Sequence, residues 1–487
     1  MSVFESVLPP PGATNITDDL LKSSIEHFLS IAKTKHSLPL SGGQLDADSG
    51  QSTGGRCLLL PPDFTRFHSQ SGKISKMLYE SMPNVEANEG MKVTDVMPAL
   101  GTHAPMTEEQ CKTMFGEEMC SSDVFRVHDW RNDVVTIGHA PPSMVSAATQ
   151  GMVSKPWPAQ LNKLVWEGRH DLVFSIGQVV PHEVMGMANY NKNLFVGVGG
   201  LDAINLSHFI GAVYGMENMM GKASNPLKDI LNYASENFLE NKLPLFYILT
   251  VMGTNADSGE LEMKGLFFGN DIKCYLAACE LSLSVNFTML EEAPMKVVVH
   301  LDEDEFHSTW LGNKAIYRTR MAIATGGELI VLGPGVKRFG EDDGCDILIR
   351  KYGYVGTPKI MELMRENEDL QNNLSVVAHL IHGSSEGRFD ITYCPGALSQ
   401  EEVEKAGFKY ADLDEMTAKY GHLKDGWGEV DGEKVFYISN PALGLWAHES
   451  RFEKGGNGRE GSGGGEVPVG ENQVGVGGSG GVGGNRG

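Results

Sequence analysis

The feature that most constrains this chain is a recurring unit: a short apolar run that stops at polar residues, followed by a helical pattern. Cys57-Leu58-Leu59-Leu60 leads into Pro61-Pro62-Asp63-Phe64-Thr65-Arg66, and the spacing predicts a helix near 72–82. Val93 to Leu100 leads into Gly101-Thr102-His103-Ala104-Pro105-Met106-Thr107, where Thr107 and Gln110 form a capping box for a helix to Phe115. Asp171 to Gly177 leads into Val180-Pro181-His182-Glu183. Strands alternating with helices predict mostly parallel sheets. Ligands of such sheets bind beyond the carboxyl ends of the strands, so polar clusters remote in sequence are expected to meet in one cleft.

A strand over Leu243 to Met252 closes this half. Strands at Val297–His300 and Glu328–Leu332, a helix over about 310–324 and a loop at 333–338 then predict a second set. The expected fold class is α/β: two α/β domains with mostly parallel sheets, a cofactor cleft between them and a disordered Gly-rich tail. The expected bounds are 1–55 for an N-terminal arm, 56–281 for the first domain, 282–452 for the second and 453–487 for the tail. The arm carries an amphipathic helix over 18–32 and a loop over 41–55. A last strand near 434–446 is a candidate to return to the first domain. Residues 454–487 hold 16 of the 59 glycines and too little apolar surface to order themselves.

Charge narrows the functional classes. Forty Lys and Arg against 63 Asp and Glu leave a net charge of −23. Nucleic acid and anionic membranes both call for a basic footprint, so neither is an expected partner. No apolar run approaches the roughly 20 residues that span a bilayer, and no secretory signal pattern opens the chain. Seven cysteines without a CxxC argue against a disulfide scaffold, a zinc ribbon or an iron–sulfur site, and for a reducing cytoplasm.

Four histidines, His103, His128, His182 and His208, follow apolar runs or sit in Gly-rich loops. A single loop histidine is more often structural than catalytic. Several of them converging at strand ends with Asp63, Arg66 and Lys192 favour a functional site. Asp63 and Arg66 suit either a local ion pair or the binding of an anion. The Gly- and Asn-rich stretch 182–200 lacks the phosphate-loop pattern and reads equally as an anion cradle or a glycine-lined turn. Glu108 and Glu109 read as charges favouring a helix N-terminus.

Taken together, Gly101-Thr102-His103-Ala104-Pro105-Met106-Thr107, Asp63-x-x-Arg66, and intervals of ten residues from His182 to Lys192 and sixteen from Lys192 to His208 resemble the lactate racemase family. The resemblance runs from about 56 to 445 and is weaker in the second half. It implies a racemase or epimerase of 2-hydroxy acids that depends on nickel, with a nickel-pincer nucleotide (the nickel complex of pyridinium-3,5-bisthiocarboxylic acid mononucleotide) as cofactor. His103 and His182 would be the acid/base residues on opposite faces of the substrate. His208 would be the nickel ligand, and Lys192 would carry or contact the cofactor. Asp63 and Arg66 would hold cofactor and substrate anions, and Lys314 would meet the substrate carboxylate. Trp310 falls where the family has a tyrosine.

The family's chemistry moves a hydride from the carbinol carbon to the cofactor while a histidine takes the hydroxyl proton, because the carbon acid is too weak for simple deprotonation. The implied partners are a small 2-hydroxy acid and the cofactor-synthesis enzymes that load the protein.

Two departures stand beside the resemblance. The family's Ser-Gly-Gly is replaced around Ala188-Asn189-Tyr190-Asn191-Lys192-Asn193, so covalent and non-covalent attachment at Lys192 both stay open. Leu311, with Asn313 nearby, stands where the family has a glutamine, which points to a substrate other than lactate, such as a sugar acid. Arg318, Arg320 and Lys337 read either as surface charges or as sites for a larger acid. Two other classes are weighed: a metal-dependent hydrolase using the same His/Asp set, although HxH and HExxH are absent, and a non-catalytic cofactor-binding protein.

Overall fold

The predicted strand–helix units assemble into two six-stranded sheets in a computed structural model that describes residues 2–35, 55–84, 90–240, 242–255, 258–442 and 444–452. Residues 1–453 form one unit and 454–487 another. The Gly-rich tail and positions 41–54 of the expected loop lie outside the described residues.

The first sheet contains β1 (Phe4–Val7), β2 (Arg56–Leu60), β3 (Lys92–Val96), β4 (Leu172–Gln178), β5 (Leu245–Thr254) and β6 (Leu261–Gly269), in the spatial order β1-β6-β5-β4-β2-β3. Strands β5, β4, β2 and β3 run parallel. Strand β6 forms an antiparallel hairpin with β5, and β1 pairs antiparallel with β6 at the edge; the sequence reading contains neither β6 nor β1.

Strand β2 shows why this order follows from the sequence. Successive side chains of a strand point to opposite faces. Cys57 and Leu59 enter one core with Phe28, Ile74 and Phe174. Leu58 and Leu60 enter the other with Val173, Val179 and Ile210. All four are fully buried, as a central parallel strand covered on both faces requires. Truncating Leu58 or Leu59 to Ala costs about 2–5 kcal/mol.

Helices cover both faces. The helix Ser71–Ser81 meets Glu108–Phe115 so closely that a Cβ at Gly72 would lie 2.1 Å from the Met114 carbonyl oxygen. The capping box is present: Thr107 accepts from the Gln110 amide, and the Gln110 side chain accepts from the Thr107 amide. The segment read as an arm supplies the edge strand β1 and the helix Asp18–Lys35, whose Leu21, Ile25, Phe28 and Leu29 are buried.

The second sheet contains β7 (Lys296–His300), β8 (Glu328–Gly333), β9 (Asp390–Pro395), β10 (Lys409–Tyr410), β11 (Gly426–Val430) and β12 (Glu433–Ile438), ordered β10-β9-β8-β7-β12-β11. All its pairings are parallel except β11 with β12.

Three expectations change. The strand near 434–446 does not return to the first sheet. Glu433–Ile438 pairs with β7, because Val435 and Tyr437 bury against Val298 and Ile330, and Leu445–His448 pairs with Phe287–Leu290. The boundary at 281/282 falls inside the helix Ile272–Asn286, whose Cys279 and Ser282 are both buried. The helix over 310–324 is two short ones, Thr309–Gly312 and Lys314–Thr319, after which Met321 bridges to Ala447.

Candidate active site

The carboxyl ends of β2, β3 and β4 open on one cleft. Asp63, Arg66, His103, His182, Lys192, His208, Trp310 and Lys314 all line it. The first two follow β2, His103 follows β3, His182 follows β4, and Trp310 and Lys314 arrive from the segment after β7. His128 is not among the lining residues. Its Nε2 lies 2.9 Å from the Gly199 carbonyl and its Nδ1 3.1 Å from the Asn162 amide nitrogen, so it is a satisfied structural histidine.

His103 Nδ1 lies 2.6 Å from Asp63 Oδ2, and Thr65 Oγ1 donates to Asp63 Oδ1 at 2.5 Å. The ion-pair partner of Asp63 is thus His103 and not Arg66. Burial alone would raise the Asp63 carboxyl. The His103 ring, Thr65 and the Arg66 charge outweigh it and hold the group below its ordinary value. An ionised Asp63 accepts a hydrogen bond from His103 Nδ1–H, which leaves the lone pair on Nε2.

His182 is held the opposite way. The Val184 backbone N–H donates to His182 Nδ1 at 3.1 Å, so the neutral ring carries its proton on Nε2. Burial, with the Lys192, Arg66 and Arg318 charges, pushes its pKa well below the usual histidine value despite the carboxylate of Glu183, which lies 3.8 Å away.

His208 sits on the helix Leu201–Tyr214 with Nδ1 2.7 Å from the Ile204 carbonyl oxygen. That bond places the proton on Nδ1 and leaves Nε2 as a lone-pair donor, the arrangement of a metal-ligating histidine. Among the described residues, no three His, Cys, Asp or Glu side chains gather as a metal site. A protein-only metal centre of the hydrolase kind therefore has no ligand set there. A single imidazole suits a metal whose other donors come from an organic cofactor.

Lys192 follows a strained turn. Asn189 and Tyr190 have φ of 65° and 57°, the left-handed region that costs a side-chain-bearing residue roughly 1–2 kcal/mol. Asn189 Oδ1 accepts from the Tyr190 amide at 2.7 Å. The Tyr190 ring lies between Tyr247 and Tyr275, with centroids 4.4 and 5.0 Å away. Buried Lys228 donates to the Asn189 carbonyl at 3.3 Å. This packing holds a turn for which glycine would be the cheaper residue. Burial, followed by the Arg66 charge, lowers Lys192 to about 8, against the pull of Glu183 and Asp63.

Lys314 pairs with Glu305 at 3.4 Å and lies over the Phe306 ring. Trp310 stacks on His379 with centroids 4.4 Å apart, and Tyr317 and Tyr354 clamp His379 at 3.0 and 2.8 Å. Leu311 lines the cleft, and Asn313 is fully buried. Arg318, read as either surface charge or acid-binding, is fully buried with Nε and Nη1 unpartnered. Arg320 is turned to Glu217 at 3.2 Å, and Lys337 is exposed. Gln178, Glu183 and Tyr317 line the cleft as well, and the sequence reading gave them no role. The first two stand at the end of β4 and just beyond it, where position was the available signal.

The fold and this cleft define an α/β protein that gathers histidines, a lysine and an arginine at parallel strand ends. Residues 43–221 match the model of the lactate racemase N-terminal domain. It is similar to the lactate racemase of Thermoanaerobacterium thermosaccharolyticum, at 27% identity over 190 residues, 38% of each chain. The matched segment thus spans well under half the length of that relative. Among solved structures, a Thermotoga maritima protein from a structural genomics programme superposes with a TM-score of 0.72 at 21% identity, covering 90% of this chain and 99% of the other. The lactate racemase apoprotein of Thermoanaerobacterium thermosaccharolyticum superposes with a TM-score of 0.60 at 18% identity, covering 87% and 92%. These superpositions establish a shared fold.

Proposed function

We propose that this chain is a nickel-dependent racemase or epimerase that inverts the C2 carbinol of a 2-hydroxy acid. The observation that carries the reading is the pair of differently held histidines, His103 and His182, in one cleft with the free Nε2 of His208. The residues suit a nickel-pincer nucleotide. His208 Nε2 would ligate the metal, Lys192 would contact or attach the organic part, and Arg66, whose buried Nη1 has no partner, would meet an anionic group. When bound, that cofactor supplies a reversible two-electron oxidant for a carbinol.

The chain's own residues do the rest. Lys314 and Arg66 hold the substrate carboxylate. His103 Nε2 takes the hydroxyl proton while ionised Asp63 stabilises the resulting imidazolium. His182 presents Nε2–H on the other side, and it would take the hydroxyl proton of the opposite enantiomer there in its other tautomer, with the Val184 bond given up. Trp310, fixed against His379, is a rigid wall. Attraction of the anionic substrate is local to these cations, against a net charge of −23.

All seven cysteines are unpaired, which accords with a reducing cytoplasm. Among the described residues no helix is long and apolar enough to cross a membrane. Loading would call on the cofactor-synthesis enzymes. The test is nickel and sulfur analysis of protein co-expressed with those enzymes, followed by chiral chromatography of a panel of 2-hydroxy acids. Stoichiometric nickel with inversion of at least one acid is expected. Nickel-free protein after co-expression overturns the reading.

A further inference from the structure

One cleft side chain has no part in the chemistry just described. Gln178 ends β4, lines the cleft and is 4% exposed, yet neither Oε1 nor Nε2 has a hydrogen-bond partner. Its backbone is fixed in register against Thr250 of β5, whose hydroxyl is itself tied to the Ser69 carbonyl. The nearest side-chain partner is His68, which approaches Gln178 too loosely to meet hydrogen-bond distance and angle and whose own buried Nε2 is unpartnered. Buried polar atoms are nearly always paired, and each unpaired one costs about 1–3 kcal/mol. A carboxamide kept in that state at a cleft wall is a recognition element waiting for its complement.

The complement follows from its inventory of one acceptor and two donors. An alkyl chain satisfies neither kind. A second carboxylate offers acceptors alone, and it would face Glu183, which lines the same cleft. Burial would raise the Glu183 carboxyl, but the fixed charges of Arg318 and Arg66 hold it far below the ordinary carboxylate value, so it stands as an anion. A hydroxyl both donates and accepts, and it suits Gln178 and an ionised Glu183 alike.

Resting on the proposed function, we propose that Gln178 is a specificity-determining residue that reads a hydroxyl beyond C2, so that the substrates are polyhydroxylated 2-hydroxy acids. The class comprises aldonic acids, as against alkyl hydroxy acids and hydroxy-dicarboxylates.

The test is calorimetric titration of the full chain, both as purified and loaded with cofactor, against a six-carbon aldonate, lactate and malate. Turnover is measured in parallel. The wild type is expected to bind the aldonate most tightly. Gln178→Leu should weaken aldonate binding about 10- to 100-fold while moving lactate by less than about threefold, since an unmet buried hydrogen bond contributes about 1.5–3 kcal/mol. Gln178→Met, of nearly the same length and without hydrogen-bonding groups, guards against misfolding and should weaken aldonate binding selectively in the same way. Equal losses for all three acids, a preference for lactate or malate, or no aldonate binding in either form overturns the inference. Selective aldonate binding without inversion of any acid by nickel-loaded enzyme leaves it standing and overturns the racemase reading instead.

Discussion

His103 Nδ1 and Asp63 Oδ2 lie 2.6 Å apart at the ends of two neighbouring parallel strands. The carboxylate accepts from Nδ1–H and so places the ring's lone pair on Nε2. Asp63→Asn is expected to lower the rate of inversion about 10²- to 10⁴-fold, with nickel content unchanged. His103→Ala and His182→Ala should each abolish inversion while nickel stays bound. Turnover and metal analysis on the same preparation check both halves. Loss of nickel from Asp63→Asn would reassign that residue to cofactor retention.

The Ile204 carbonyl does for His208 what Asp63 does for His103. It accepts from Nδ1–H at 2.7 Å and leaves the lone pair on Nε2, as the proposed ligand role needs. His208→Ala should therefore lose nickel, read by elemental analysis of the purified protein. Retention of full nickel content in this variant would remove the ligand assignment.

The legible part of the fold was its central strands, because Cys57 to Leu60 and Leu172 to Ile176 are apolar on both faces and end at polar residues. The antiparallel strand Leu261–Gly269 escaped notice because Glu262 and Lys264 break the apolar run; these strand residues are only half-buried. The site histidines were legible through their spacing. Gln178 was not, since it stands out only by burial without partners, and no local pattern encodes that; Arg318 was read as either a surface charge or an acid-binding group, and it is fully buried. The turn before Lys192 was hidden for a related reason. Its left-handed residues are Asn189 and Tyr190 in place of glycines, held by the remote rings of Tyr247 and Tyr275.

Lys192 offers a test that needs no substrate. Burial lowers it to about 8, so its neutral amine appears more than two pH units earlier than that of a surface lysine at about 10.4. Amine-selective labelling of the apoprotein, followed residue by residue by mass spectrometry, should give Lys192 a pH midpoint near 8 after correction for access. A midpoint above 10 would show that the buried setting does not act on it. Lys192→Ala should weaken cofactor retention, and the intact mass of loaded protein distinguishes covalent from non-covalent attachment.

The second half of the cleft predicts how the protein responds to acid. His379 and His382 lie on the helix Leu374–His382, 5% and 3% exposed. Burial lowers both to about 3; the His382 charge adds to it at His379, the Arg320 and His208 charges add to it at His382, and Glu183 opposes at both. In the unfolded chain they titrate near 6.5. Between these values the unfolded state binds more protons, so stability is complete above pH 6.5 and falls as pH drops toward 3. Two such protons give a slope of roughly 3 kcal/mol per pH unit in the middle of that window. Replacing His379 by Gln, which can still bond to the Tyr317 and Tyr354 hydroxyls, should lower the measured slope by about 1.4 kcal/mol per pH unit. Urea titrations at pH 4, 5, 6 and 7 on wild type and variant measure it. Equal slopes in the two proteins would mean that His379 is already protonated in the fold.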